Sequence, residues 1–81
     1  MGIDECSTTE GLEALIEKIL CSSTTPLESI EILEKVAEIC GREPTRVLFR
    51  RALASLVKSG RVERISGEEY GKARVLFKCK G

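Results

Sequence analysis

The sequence predicts an α+β fold, three helices followed by a C-terminal β-hairpin, and three observations carry the prediction. Apolar residues recur every three or four positions through 12–20, 30–40 and 49–57, the spacing of a helix with one buried stripe. Ser, Thr, Pro and Gly interrupt that pattern at 7–9, 22–26, 41–44 and 59–60. After Gly60 the period shortens to two, with Ala73, Val75, Phe77 and Cys79 alternating against Arg74, Leu76, Lys78 and Lys80. A chain of 81 residues has room for one such domain, burying about 60% of the surface its unfolded form exposes.

Met1 to Cys6 shows no periodicity and is expected to be a flexible arm, leaving 7–81 as the domain. Ser7-Thr8-Thr9-Glu10 fits a capping box, in which the Ser hydroxyl takes an orphan backbone N–H and the Glu reaches back. A first helix therefore starts here, with Leu12, Leu15, Ile16, Ile19 and Leu20 toward the core and Glu13, Glu17 and Lys18 outside. Cys21-Ser22-Ser23-Thr24 breaks the stripe. Thr25-Pro26-Leu27-Glu28 reads as a second capping box, with Pro26 at the first helical position, where its missing N–H costs nothing. In this second helix Ile30, Leu33, Ala37 and Cys40 form one face, and Ile32, Val36 and Ile39 widen it. Glu28, Glu31, Glu34, Lys35 and Glu38 remain in solvent, and Gly41 can supply the left-handed residue that ends the helix.

The third helix runs from about Pro44 to Lys58, docking through Phe49, Ala52, Leu53, Leu56 and Val57 until Ser59-Gly60 stops it. At 100° per residue its opposite face collects Arg51, Ser55 and Lys58, with Arg50 on the flank and Arg46 toward the core edge. Arg61 to Ile65 can then be extended, Gly67 to Gly71 can turn, and Ala73 to Cys79 can return as the second strand.

Zero formal charge hides a division. Residues 1–41 hold 2 basic and 9 acidic side chains, net −7, whereas 42–81 hold 11 basic and 4 acidic, net +7. Such an asymmetry is the footprint expected of a chain that offers one cationic surface to a polyanion, unless the halves pair internally.

The core run Phe49, Leu53, Leu56, Gly60, Val62, set in the order helix, glycine, strand, turn, strand, resembles the winged helix-turn-helix DNA-binding superfamily over about Thr8 to Lys80. The resemblance implies a winged helix of the small archaeal regulator type, with a short additional strand after helix one. It further implies helix 44–58 in the major groove of double-stranded DNA and the 61–80 wing along the backbone, in the service of transcription regulation. The DNA-binding residues would be Arg42, Thr45, Arg46, Arg50, Arg51, Ser55 and Lys58 from the turn and helix, and Arg64, Lys72 and Arg74 from the wing. Arg suits bidentate pairing with guanine, and Lys serves as a point charge on phosphate. A homodimer would address two half-sites. Two features depart from the usual pattern: Glu68 and Glu69 make the wing tip acidic, and the second helix is acidic. They favour an alternative, a winged helix used as a protein-interaction module in an archaeal replication or transcription assembly, with a partner on the acidic N-terminal half.

Other classes find little support. The chain has no His for acid–base work, no phosphate-binding Gly-rich loop and no GxSxG or HExxH pattern, so neither catalysis nor a cofactor is expected. Its apolar runs, such as Val47-Leu48-Phe49, are far short of a membrane span, and Asp4 and Glu5 stand where a secretory leader would be basic, so a cytoplasmic protein is expected. The absence of Asn, Gln, His and Trp beside abundant Glu, Lys and Arg is a hyperthermophile composition. Cys6, Cys21, Cys40 and Cys79 then admit three readings: buried free thiols, which come first, disulfides, and zinc, which spacings of 15, 19 and 39 residues without His or CxxC disfavour.

Overall fold

The computed structural model describes residues 5–80. Three helices and a three-stranded antiparallel sheet make one α+β unit: α1 (Thr9–Ser22), β1 (Leu27–Glu28), α2 (Ser29–Cys40), α3 (Arg46–Lys58), β2 (Val62–Ile65) and β3 (Leu76–Cys79). Short 3-10 turns lie at Glu5–Ser7 and Gly67–Tyr70. In the sheet β3 is central, in the order β1-β3-β2.

The helices follow the apolar stripes. Leu12, Ile16 and Leu20 of α1, Ile32, Leu33 and Val36 of α2, and Phe49, Ala52, Leu53 and Leu56 of α3 form one core, closed by Leu27 of β1 and Val62 of β2. Ile30 and Ile39 depart from expectation, at 45% and 59% exposed. They lie at the edges of an apolar arc wider than α1 and α3 can cover.

Helix starts move for identifiable reasons. The N-cap of α1 is Thr8, not Ser7: its hydroxyl oxygen accepts the Gly11 N–H at 3.0 Å, while the Ser7 hydroxyl accepts from Arg42 Nη2 at 3.0 Å. The helix also runs on through Cys21 and Ser22. Thr25-Pro26-Leu27-Glu28 does not open α2. Ser23 engages Thr25, donating its hydroxyl to the Thr25 carbonyl at 2.6 Å, and Leu27 pairs with Phe77 as strand β1. Only then does α2 begin, with Glu28 as N-cap and its N–H donated to Glu31 Oε1 at 3.0 Å. Burying Leu27 beside a sheet partner outweighs a local cap worth about 1 kcal/mol. Likewise α3 begins at Arg46, because Pro44 is buried ahead of the cap and Thr45 is extended.

Helix ends match their glycines. Gly41 closes α2 at φ 75°. After α3, Gly60 stands at φ 81°, its N–H bonds the Val57 carbonyl at 3.2 Å, and the Arg61 N–H bonds the Leu56 carbonyl at 3.0 Å. This paired closure turns the chain directly into β2.

The register sets Val62 against Cys79, Glu63 against Lys78, Arg64 against Phe77 and Ile65 against Leu76. The expected strand from Ala73 is shorter: Ala73, Arg74 and Val75 lie outside β3, and Val75 is 37% exposed. Leu76, expected on the cationic face, is 1% exposed instead. The segment before it folds back, with the Lys72 N–H bonded to the Gly67 carbonyl at 2.8 Å. A methyl group at Gly67 would overlap the Arg74 carbonyl and stand 2.9 Å from Lys72 Cβ. Gly67→Ala should therefore cost about 1–3 kcal/mol through overpacking. A thermal melt matching the parent would show that 66–75 is not packed this way.

All four cysteines are paired, Cys6 with Cys40 and Cys21 with Cys79, at Cα separations of 6.1 and 4.8 Å. This overturns the free-thiol reading and takes the cysteines away from zinc. The bonds join residues 34 and 58 positions apart, contacts that only the folded topology creates. Residues 1–4 of the expected arm lie outside the described residues, while Cys6 is tied to the end of α2. Among the described residues no helix is long and apolar enough to cross a membrane.

Candidate nucleic-acid interface

An open groove of about 610 Å³ runs along α3, bounded by the start of α2 and by the sheet. Its walls carry five of the ten candidate residues: Arg46, Arg50 and Lys58 from α3, Arg64 from β2, and Arg74 from the segment before β3. Helical geometry places Arg46 and Arg50 one turn apart on the same side, so Arg46 leaves the core edge and stands exposed beside the groove. Arg64 reaches the same wall because it pairs with Phe77 across β2 and β3, and cross-strand partners share a face.

The other five do not line the groove. Arg51 is exposed on the outer side of α3, a further 100° round from Arg50, and Ser55 is half-buried beyond it. Thr45 is the exposed N-cap of α3 and makes no side-chain capping bond. Lys72 is exposed in the folded-back segment. Arg42 is engaged with Ser7, across the turn from the arm.

Internal charge pairing consumes other residues. Arg61 meets Glu17 at 3.8 Å and Lys78 meets Glu63 at 3.6 Å, both exposed pairs worth at most about 1 kcal/mol. Among the described residues, the five groove cations have no ion-pair partner. Five unpaired cations on one concavity repel one another, and an anion between them relieves that repulsion.

The groove floor is what sequence reasoning missed. Ile30, Leu33, Phe49, Leu53, Val57 and Phe77 line it with apolar surface. Helical periodicity sent Ile30 to the core and strand alternation sent Phe77 there. Neither pattern records that α2, α3 and β3 leave a gap between them. In comparisons with known proteins, no family model, no curated protein and no solved structure matched this chain.

Proposed function

We propose that this chain is a winged helix that binds double-stranded DNA and regulates transcription in the cytoplasm of a hyperthermophilic archaeon. The observation that carries the reading is the convergence of Arg46, Arg50, Lys58, Arg64 and Arg74, none ion-paired among the described residues, on one open groove. The sheet supports it too: β1 joins the hairpin beside β3, as the strand expected between the first two helices would. In this arrangement α3 enters the major groove, about 12 Å wide, with Arg50 and Arg51 reaching base edges or phosphates. Arg64 and Arg74 follow the flanking backbone. Intracellular disulfides are at home in hyperthermophiles, which fits both the composition and the two bonds.

Two copies would place their α3 helices on half-sites about 34–36 Å apart. Their seam would be non-covalent, because all four cysteines are bonded within the chain. The protein-interaction reading draws on a different surface, where Ile39 stands 59% exposed among Glu38, Lys35 and Ile19.

Fluorescence anisotropy with a labelled duplex at several salt concentrations tests the proposal. Neutralising roughly 4–6 phosphates gives a log–log salt slope near −0.9 for each of them. Replacing Arg50 and Arg51 together with Ala should weaken binding by about 1–3 kcal/mol for each base edge no longer read, and leave the melting temperature nearly unchanged. Weak binding that ignores salt, or an affinity unmoved by the double substitution, would remove α3 from the interface.

A further inference from the structure

The groove has a floor that duplex DNA does not use. Phosphate and sugar are matched by Arg46, Arg50, Lys58, Arg64 and Arg74, but Ile30, at 45% exposed, and Phe77, the cross-strand partner of Arg64, offer apolar surface beside those cations. A contiguous apolar strip rimmed by like charges marks an interaction site whose ligand is apolar on one side and oppositely charged on its flanks. Length narrows the class. The lining runs from Arg46, the first residue of α3, to Lys58, the last, so the 13-residue helix sets a span of roughly 18 Å. A small metabolite covers a fraction of that. A second helix of about 12 residues laid alongside α3 covers all of it.

We propose that the groove receives an acidic amphipathic helix from a partner protein. Its apolar stripe, at i, i+3 or i+4 and i+7, packs on Ile30, Val57 and Phe77, and Asp or Glu on its flanks meet the cations on both walls. Charge complementarity selects this occupant over a second copy's neutral or basic elements. The described acidic helices α1 and α2 already spend their buried stripes on their own core. Because the helix takes the same cations that the DNA reading assigns to phosphate, peptide and duplex exclude one another. The peptide site itself stands on the floor and does not require DNA binding.

The test uses three labelled 15-residue synthetic peptides: one with Leu at helical spacing and Glu on the flanks, one of the same composition with Leu scattered around the helix, and one with Lys in place of Glu. Anisotropy with the full chain should give saturable binding of the patterned acidic peptide, about tenfold or more tighter than either control, a gap of about 1.4 kcal/mol. Ile30→Ser, at an exposed position, should weaken the patterned peptide about fivefold or more and leave the melting temperature unchanged. Arg50→Ala and Arg64→Ala should weaken it most at low salt. Equal affinity for patterned and scattered acidic peptides would overturn the proposal, since charge alone would then explain binding. So would patterned binding that Ile30→Ser does not move. A labelled duplex run in parallel separates the two readings: peptide binding without duplex binding leaves the groove proposal standing and removes the DNA reading, and duplex binding without peptide binding does the reverse.

Discussion

Reducing Cys6–Cys40 and Cys21–Cys79 lowers the melting temperature by at least roughly 20 °C, the largest single change expected of this protein. Chain-entropy arguments give each bond about 4 kcal/mol for loops of 34 and 58 positions. The loops share 21–40, so the pair together contributes less than twice that. A domain of 81 residues carries in all about 4–12 kcal/mol, so the bonds are a large part of its margin. Removing them one at a time should rank them. Cys21→Ala with Cys79→Ala costs more than Cys6→Ala with Cys40→Ala, by about 0.5 kcal/mol from loop length alone. Calorimetry with and without reductant measures both effects. A melting temperature indifferent to reductant would return the free-thiol reading.

Leu56→Ala is expected to be the most damaging single core substitution in α3, at about 3–5 kcal/mol. Leu56 is 0% exposed in the core that the helices share with the sheet, so the missing methyl groups leave a cavity that the surroundings fill poorly. Leu53→Ala, 8% exposed and also lining the groove, opens toward solvent and should cost nearer 2–3 kcal/mol. Urea titrations of both variants decide the order. Equal destabilisation, or a milder Leu56→Ala, would mean that α3 is rotated from the register on which Arg46 and Arg50 are placed.

That register is legible in the sequence, since Phe49, Ala52, Leu53 and Leu56 stand at helical spacing and all four are buried. Gly41 and Gly60 are legible too, because a left-handed residue after an apolar stripe is a local requirement. What escapes is set by partners distant in sequence. Leu27 looks like the second residue of a helix until Phe77, fifty positions on, claims it for a strand. Leu76 looks solvent-facing by alternation until the chain from Gly67 to Arg74 folds back. The cysteines carry no local sign of their pairing. For the site, the cations can be named from charge and helical angle, and five of ten converge. The groove's apolar floor cannot be named, because it belongs to no single element.

The two disulfides interleave, 6 with 40 and 21 with 79, so each closed ring contains one end of the other. Any single peptide bond between Cys6 and Cys79 can therefore be cleaved without releasing a fragment. A cut within α1 before Cys21 leaves the pieces held by Cys6–Cys40, a cut within β2 or the folded-back segment leaves them held by Cys21–Cys79, and a cut within α2 before Cys40 leaves them held by both. A protease that nicks an exposed loop produces a two-chain molecule of the same connectivity, with the core and the cations of α3 still tethered to the sheet.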